Sequence, residues 1–325
     1  MQSYPGLYHV SRLAHGLFLW ARAVTGAVDQ PASGVRRVLA PNPSAMCAEG
    51  TNTYILGEGA VVVIDPGPAI PRHVDTVLAA LSPGEVVVAI CVTHSHLDHS
   101  AAAPTLAQRT GAPVCAFGGP GAGRSAVMAD LAQRGLSEGG EGLDHNFRPD
   151  RILRDGDAVD FGAERLGALW TPGHCSNHLS FLWRGIGFSG DHVMGWASSL
   201  ISPPDGDLTA YMDSLTLLEA AAPGVLLPGH GAPVADPAAR IAALRHHRQA
   251  RGASILAALH SGIDTVPALT RHIYTETPAA LRPAAERNVF AHLIDLCRKN
   301  QAQALGDLAF AARFVPGLGG RNSDK

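Results

Sequence analysis

Short apolar runs that end at glycine, proline or aspartate dominate the first two thirds of the chain. Runs of this length with such boundaries predict β-strands, and apolar residues spaced three or four apart predict helices. The pattern predicts strands over residues 35–39, 51–56, 61–65, 86–92, 114–117, 158–161, 165–170, 179–183, 186–189 and 224–227. It predicts helices over residues 72–81, 104–111 and 209–221.

Residues 118–150 interrupt this pattern, because they are rich in glycine and show little apolar periodicity. Loops of that length inside a compact domain are usually either functional or disordered. Two interpretations stay open at this point. The segment either overhangs a functional site or is a surface insertion without a role.

The pattern changes at Asp236-Pro237, where helical periodicity replaces the short strands. Asp is a favourable N-cap and Pro fits the first helical turn, so a long helix is predicted from here to Gly262. Two further helices are predicted over residues 267–274 and 283–299, and a β-hairpin over 304–315. Three helices and a hairpin indicate a winged-helix module. We therefore predict a larger domain of residues 1–235 and a small, mainly helical domain of residues 236–325.

Four side chains that can bind a metal follow the predicted strand 86–92 directly. The sequence there is Thr93-His94-Ser95-His96-Leu97-Asp98-His99. In an extended chain, residues two apart point the same way, so His94 and His96 converge on one point. Asp98 and His99 lie on the turn beyond and can face a second point.

Three more potential ligands each stand just past an apolar strand, on a turn that contains glycine. They are found in Pro172-Gly173-His174, Ser189-Gly190-Asp191 and Pro228-Gly229-His230. Strand ends can meet at one edge of a sheet, and glycine allows the sharp turn there. Together with the first group, this makes seven nitrogen and oxygen ligands, which exceeds what one tetrahedral zinc needs and suits a pair of metals.

The predicted ligands divide into two sets and a bridge. We expect the first metal to be bound by His94, His96 and His174, and the second by Asp98, His99 and His230, with Asp191 between them. Two metals about 3.5–4 Å apart can hold a hydroxide and polarise the oxygen of the bond being cleaved. Asp98 is also the predicted catalytic residue, because it can orient that hydroxide. His178 and His192 are either proton donors or outer hydrogen-bonding partners of the ligands.

Composition narrows the class of protein. Hydrophobic residues make up 46% and charged residues 16% of the 325 residues, which excludes a disordered chain. The five cysteines are dispersed without a Cys-x-x-Cys pair, so a disulfide framework and a zinc ribbon are not indicated. The sequence shows no secretion signal and no apolar run of about 18 residues. We expect a cytoplasmic protein with no membrane partner.

Charge is unevenly distributed between the two predicted domains. Residues 1–235 carry 13 basic and 21 acidic side chains, whereas residues 236–325 carry 12 basic and 7 acidic ones. Such asymmetry indicates either a basic partner-binding module or two domains that attract each other. The net charge of −3 favours neither nucleic acid nor a membrane as a partner.

The seven predicted ligands, taken in order, resemble those of the metallo-β-lactamase superfamily. Gly50-Thr51-Asn52-Thr53-Tyr54, the segment 189–195 and the C-terminal module resemble its beta-lactamase-like protein 2 group, which carries a winged-helix-like tail. This resemblance implies an α+β fold, an αββα sandwich with the metals at one edge, followed by a small winged-helix-like domain. It also implies hydrolysis with two Zn²⁺ ions, or with iron or manganese in their place.

Several functions compete on this basis. The first is a binuclear hydrolase of a small ester-like molecule, a thioester or a lactone, favoured by the acidic first domain and by a lysine content of two, Lys299 and Lys325. The alternative is an endoribonuclease of single-stranded RNA, which the resemblance implies and the Arg-rich tail favours. The third is a di-iron oxidoreductase. We expect the winged helix to shape the substrate channel rather than bind DNA, and the sequence is compatible with a homo-oligomer.

Overall fold

The structure of the protein is a computed structural model that describes residues 26–137 and 142–317. The N-terminal stretch, where the sequence shows no secretion signal, lies outside the described residues. Two β-sheets with helices around them form the larger part, and a mainly helical module with a β-hairpin follows. Among the helices that the structure describes, none is both long and apolar enough to cross a lipid bilayer.

The first sheet has seven strands that are hydrogen-bonded in their sequence order. They are β1 (Val28–Ala32), β2 (Val35–Leu39), β3 (Asn52–Leu56), β4 (Ala60–Ile64), β5 (Val86–Cys91), β6 (Val114–Ala116) and β7 (Arg151–Ile152). Strands β1 to β4 pair antiparallel, and β4 to β7 pair parallel. Because parallel strands end at the same edge, the segments that follow β4 and β5 start side by side.

The second sheet has five strands in the order β12-β11-β10-β9-β8. They are β8 (Ala158–Phe161), β9 (Glu164–Trp170), β10 (Leu179–Trp183), β11 (Ile186–Gly190) and β12 (Val225–Pro228). Strand β10 is antiparallel to both β9 and β11, and β11 is parallel to β12. The carboxyl ends of β9, β11 and β12 therefore lie at one edge of this sheet.

Helices cover the outer faces of both sheets. The α-helices are α1 (Pro71–Ala79), α2 (Leu97–Ser100), α3 (Ala103–Thr110), α4 (Ala126–Gln133), α5 (Leu208–Ala220), α6 (Pro237–His260), α7 (Val266–Ile273) and α8 (Arg282–Arg298). Helix α3 ends where predicted, because Gly111 adopts a left-handed φ of 73° and donates its N–H to the carbonyl of Ala107.

Three apolar layers hold the sandwich together. Between the sheets, side chains such as Leu56, Ile64 and Phe181 form one core, and Tyr54 meets Phe188 edge to face with ring centroids 5.3 Å apart. A second core lies between the first sheet and helices α1 and α3, and a third lies between the second sheet and helices α5 and α6. The order helix, sheet, sheet, helix confirms the predicted αββα sandwich.

The C-terminal module has its own core around α7, α8 and the hairpin of β13 (Ala302–Leu305) and β14 (Arg313–Pro316). This confirms the predicted winged-helix domain. Helix α6 joins the two parts of the molecule. Ile241 and Leu244 in its first half pack against α5, whereas Ile255 and Leu259 in its second half belong to the C-terminal core. The boundary at residue 235 stays a prediction, since this helix contributes to both cores.

The loop predicted over residues 118–150 contains a helix that the sequence pattern did not indicate. In α4, Met128 and Leu131 are buried and pack into the core of the C-terminal module. Beyond it, the backbone N–H of Leu97 binds the carbonyl of Gly142, and that of Asp144 binds the carbonyl of Ser95. In its described residues, the segment thus ties the winged helix to the histidine-rich turn.

Ion pairs connect the acidic and basic parts of the chain. Arg298 pairs with Asp207 at 3.1 Å, and Arg245 pairs with Glu219 at 2.8 Å. In each pair, the basic side chain comes from a C-terminal helix and the acidic one from helix α5 or its N-cap. These contacts support the interpretation that the charge asymmetry draws the two parts together.

Candidate metal centre

The seven predicted ligands all lie at the carboxyl ends of strands. His94 and His96 follow β5, and Asp98 and His99 lie in the single helical turn α2. The other three follow strands of the second sheet, with His174 after β9, Asp191 after β11 and His230 after β12. The structure brings all seven to one edge of the sandwich, where six are buried and Asp98 keeps 24% of its side chain exposed.

Three imidazole nitrogens converge at the first position. Nε2 of His94 lies 3.0 Å from Nδ1 of His96, and Nε2 of His174 lies 3.1 Å from that same Nδ1 atom. The three ligand atoms are all within 4.8 Å of one another. This is the set predicted for the first metal.

The second position gathers two imidazoles and a carboxylate. Oδ2 of Asp98 lies 3.4 Å from Nε2 of His99 and 3.2 Å from Nε2 of His230, and the two Nε2 atoms are 3.3 Å apart. Asp191 reaches both positions, because its Oδ2 lies 3.3 Å from Nε2 of His230 and 3.8 Å from Nε2 of His174. Its location between the two sets matches the predicted bridge.

Outer hydrogen bonds leave the inward-facing nitrogens free to bind a cation. Nδ1 of His174 lies 2.7 Å from the carbonyl of Leu200, and Nδ1 of His230 lies 3.1 Å from the carbonyl of Gly50. A carbonyl can only accept, so each Nδ1 carries a proton and each Nε2 is directed towards the cluster. Nδ1 of His99 likewise faces a carboxylate oxygen of Asp65 at 2.9 Å.

Electrostatics make this donor set suitable for divalent cations. Burial lowers the pKa of His94 well below its ordinary value, and burial together with His174 lowers the pKa of His96 to about 3, so both rings are neutral. Burial acts to raise the pKa of Asp98 and of Asp191, but His99 and His230 outweigh it and hold both carboxyls ionised. Neutral imidazoles and ionised carboxylates are the forms that bind metals.

Two buried groups indicate that a cation belongs between these side chains. Oδ1 of Asp191 is buried and has no hydrogen-bond partner among the residues that the structure describes. For His230, burial disfavours the charged ring, yet the carboxylates of Asp191 and Asp98 raise its pKa to about 10. The cluster therefore attracts positive charge, and its residues fit a pair of metal ions.

Glycine next to the ligands serves two different purposes. Gly173 adopts φ 151° and Gly190 adopts φ 46°, so these positions use the backbone freedom of glycine, as predicted. At Gly229 the reason is space, because an added Cβ would lie 2.5 Å from Oδ1 of Asp191 and 2.6 Å from Cε1 of His99. A larger residue there would push the bridging carboxylate out of place.

Asp65 and Cys47 contact predicted ligands at this site, although the sequence pattern did not identify them as functional residues. Asp65 follows β4 directly, so it lies at the end of a strand as the seven predicted ligands do, and it contacts the ligand His99. Cys47 lies in a loop before β3, and its Sγ approaches Oδ2 of Asp98 to 3.5 Å. Thr51 also donates its hydroxyl to that oxygen, at 3.2 Å.

His178 and His192 lie behind the ligands rather than in the opening. Nδ1 of His178 is hydrogen-bonded to Oγ1 of Thr171 at 2.9 Å, and the His178 ring lies 5.2 Å from that of His94. The ring of His192 packs edge to face on Tyr211 at 4.8 Å. Both rings are fully buried, so the structure supports an outer packing role for them instead of proton donation to a substrate.

A cavity of about 470 Å³ opens beside the cluster, between the sandwich and the C-terminal module. Five of the predicted ligands border it. Apolar side chains form its walls, and these include Met46, Met194, Trp196, Leu200, Ile273 and Leu281. Among its described lining residues there is neither Lys nor Arg. The winged-helix module therefore forms one wall of the cavity at the metal centre.

Comparison with known families agrees with this geometry. A model of the Metallo-beta-lactamase superfamily matches residues 48–230, a range that holds all seven predicted ligands. This chain belongs to the metallo-beta-lactamase superfamily. Its members are generally hydrolases that bind divalent metals, typically two. A model of the Beta-lactamase associated winged helix domain matches residues 265–311.

Three proteins with similar sequences illustrate the relatives of this superfamily member. Lactamase-like protein vrtG of Penicillium aethiopicum is 30% identical, over 78% of this chain and 77% of that protein. Atrochrysone carboxyl ACP thioesterase of Aspergillus chevalieri is 29% identical, over 69% of this chain and 65% of that protein. The beta-lactamase-like protein 2 homolog of Drosophila melanogaster is 28% identical, over 84% of this chain and 91% of that protein.

Solved structures show the same fold. A beta-lactamase domain protein from Burkholderia ambifaria superposes with a TM-score of 0.73 at 24% identity, covering 90% of this chain and 94% of that one. A metallo-beta-lactamase family protein from Thermus thermophilus superposes with a TM-score of 0.68 at 23% identity, covering 88% and 99% respectively. Each match extends beyond the sandwich, so the arrangement of sandwich and C-terminal module recurs in these proteins.

Proposed function

We propose that this superfamily member is a binuclear zinc hydrolase of a small ester-like substrate, a thioester or a lactone that carries an apolar group. The observation that carries the proposal is the cavity beside the cluster. Its volume of about 470 Å³ is within the usual range for small-molecule sites, and its walls are apolar. An apolar acyl chain or ring can bind in this cavity out of contact with water, while the carbonyl of the substrate faces the cluster.

We assign the seven side chains as predicted. His94, His96 and His174 would hold the first metal and Asp98, His99 and His230 the second, with Asp191 shared between them. When bound, such a pair lowers the pKa of water towards ~7 and polarises the carbonyl oxygen of the substrate. The donors are imidazole and carboxylate, which suit zinc and also accept iron or manganese.

Asp98 is the residue of this set that can act on the reacting water. It borders the cavity and is the most exposed of the seven, with 24% of its side chain accessible. Thr51 fixes its orientation by donating a hydrogen bond to Oδ2. The carboxylate therefore has a defined orientation beside the opening, where it can orient the attacking hydroxide.

One relative supports the thioester as the scissile bond. The Aspergillus chevalieri protein is named an ACP thioesterase, and the part of it that matches this chain covers 65% of its length. A thioester has an electrophilic carbonyl carbon, and its hydrolysis releases a thiol, which is a good leaving group. Such a reaction does not need a buried acid close to the leaving group, and neither His178 nor His192 is among the cavity's lining residues.

The single-stranded RNA alternative has less support from the cavity. Phosphate recognition in nucleic-acid enzymes uses Arg and Lys, which the described lining residues do not include. The arginines of the C-terminal helices that form ion pairs, such as Arg245 and Arg298, are engaged with acidic groups of the sandwich. We therefore place RNA cleavage second.

A substrate panel with zinc-loaded protein tests the proposal. Acyl thioesters with apolar chains, lactones and labelled single-stranded RNA are compared at low and high salt. We expect thioester or lactone cleavage that hardly depends on salt, because a neutral ester makes no phosphate contacts. His96→Ala should abolish this activity. Cleavage of RNA that falls steeply with salt, without cleavage of any ester, would contradict the proposal.

A further inference from the structure

We propose that Cys47 is a further ligand of the second metal position and binds the metal there through its sulfur atom. The inference rests on the proposed metal centre and adds to it a ligand from the loop of residues 44–50. It also gives the second position a chemical preference, since sulfur favours zinc over manganese and other oxygen-seeking ions.

The geometry of three donors carries the inference. Sγ of Cys47, a carboxylate oxygen of Asp98 and a ring nitrogen of His230 all lie within 4.8 Å of one another. They come from three separate segments of the chain, the loop before β3, the turn α2 and the loop after β12. Sulfur, oxygen and nitrogen atoms gathered at this spacing form a donor set of the kind that binds zinc.

The backbone holds the Cys47 loop against the cluster. Oγ of Ser44 accepts hydrogen bonds from the N–H groups of Met46 and Cys47, at 3.1 and 3.0 Å. The N–H of Gly50 then binds the carbonyl of Cys47 at 2.9 Å, and the carbonyl of Gly50 accepts from Nδ1 of His230 at 3.1 Å. The loop that carries the sulfur is thus tied directly to another ligand of the same position.

Glycine at position 50 makes this close approach sterically feasible. An added Cβ there would lie 2.0 Å from the carbonyl oxygen of Ala40, and the residue adopts a φ of 142°. A side chain at this position would clash with the Ala40 carbonyl and force this part of the loop to shift. The backbone position of Cys47 is therefore determined by the fold.

A second observation points to a cation at this place. The buried Oδ1 atom of Asp191 has no hydrogen-bond partner in the described structure, and the same carboxylate contacts His230. Cys47 also borders the cavity, and its sulfur lies 3.5 Å from Oδ2 of Asp98. None of the other four cysteines joins a group of potential ligands in the described part of the chain.

Metal binding by Cys47 replaces the proton of its thiol. The thiol of Cys47 donates towards Oδ2 of Asp98 in this structure. On metal binding, the S–H bond breaks, a sulfur–metal bond forms, and the proton leaves to solvent. A thiolate adds one negative charge to a position that already has one or two carboxylates, and this strengthens its preference for a dication of intermediate softness such as zinc.

Cobalt(II) provides the test, because a thiolate ligand gives cobalt a charge-transfer absorption band in the near ultraviolet. The full-length chain, its Cys47→Ser variant and its Cys297→Ser variant are each loaded with cobalt, and bound metal per chain is measured. Cys297 is the matched control, since it lies in α8 and belongs to the C-terminal core. We expect the band in the wild type and in Cys297→Ser, and its loss in Cys47→Ser.

The outcomes separate this inference from the proposed function. A wild-type chain that binds two cobalt ions without the band, or a band that persists in Cys47→Ser, would overturn the role of Cys47 while leaving the metal centre intact. A chain that binds no cobalt would overturn both. If Cys47 only positioned Asp98 through its hydrogen bond, the wild type would bind two ions and show no band.

Discussion

Nδ1 of His99 lies 2.9 Å from Oδ2 of Asp65, a carboxylate that also accepts hydrogen bonds from the N–H and the hydroxyl of Thr93. Both residues are buried. Asp65 thereby fixes the ring orientation and tautomer of His99, whose Nε2 points towards the second metal position. Because Asp65 follows β4 and Thr93 closely follows β5, the pairing of these two parallel strands places the carboxylate at this ring.

Replacing Asp65 by Asn tests this relationship. The substitution keeps the size of the side chain but removes its charge, so His99 becomes a weaker and less well oriented ligand. We expect affinity for the second metal to fall by about 10–100-fold while the first metal is retained. Competition with a chelator measures this. The matched control is Asp75→Asn on α1, an exposed carboxylate that pairs with Arg109 and should not affect metal affinity. Equal affinities in both variants would contradict the assigned role.

The wall of the cavity gives a prediction about substrates. Leu281 lines the cavity, whereas Leu305 on β13 is 54% exposed elsewhere in the same module. Leu281→Arg should lower kcat/KM for an apolar acyl thioester by about tenfold or more, because a guanidinium in an apolar wall disfavours the acyl group. Leu305→Arg is the control with the same chemical change. If both variants keep wild-type kcat/KM, the cavity is not the acyl site.

His73 predicts how stability depends on pH. The residue is 1% exposed, its Nε2 lies 2.9 Å from Oγ1 of Thr53, and burial lowers its pKa from 6.5 to about 4. Below pH 6.5 the His73 ring is protonated in the unfolded chain. In the folded chain the ring stays neutral until the pH falls to about 4. The stability linked to this ring is therefore full above pH 6.5 and is lost as the pH falls towards 4, by roughly 3 kcal/mol at most.

Urea unfolding of the metal-free protein checks this sign. Wild type and His73→Gln are compared between pH 7 and 4, and the loss of stability on acidification should be smaller in the variant. Glutamine can keep a hydrogen bond to Thr53 but does not titrate. Parallel curves for the two proteins would show that His73 does not contribute to the acid sensitivity.

Much of the fold and of the candidate site could be predicted from sequence because strand ends carry the chemistry. A short apolar run followed by glycine and a His or Asp is a local pattern, and it located His174, Asp191 and His230 without knowledge of the sheet order. Asp65 also follows an apolar run directly, but no glycine stands between that run and the carboxylate. Its neighbour Pro66 and the turn that follows made it look like an ordinary strand terminus.

Other features depend on contacts between distant segments and have no local signal. Cys47 approaches Asp98 because Gly50 packs against Ala40 and His230, residues that the sequence does not connect. The cavity combines side chains from around residues 46, 196 and 281. Helix α4 is short and lies between glycines, so its apolar face was not predicted from the sequence. That face packs against the winged helix rather than against its own sheet.

Seven side chains at the ends of four strands are proposed to bind two metal ions. Anomalous diffraction from zinc-loaded crystals at the zinc absorption edge tests this proposal most directly. We expect two anomalous peaks, one among His94, His96 and His174 and the other among Asp98, His99 and His230, with Asp191 between them. A single peak, peaks elsewhere on the molecule, or none at this edge of the sandwich would contradict the account.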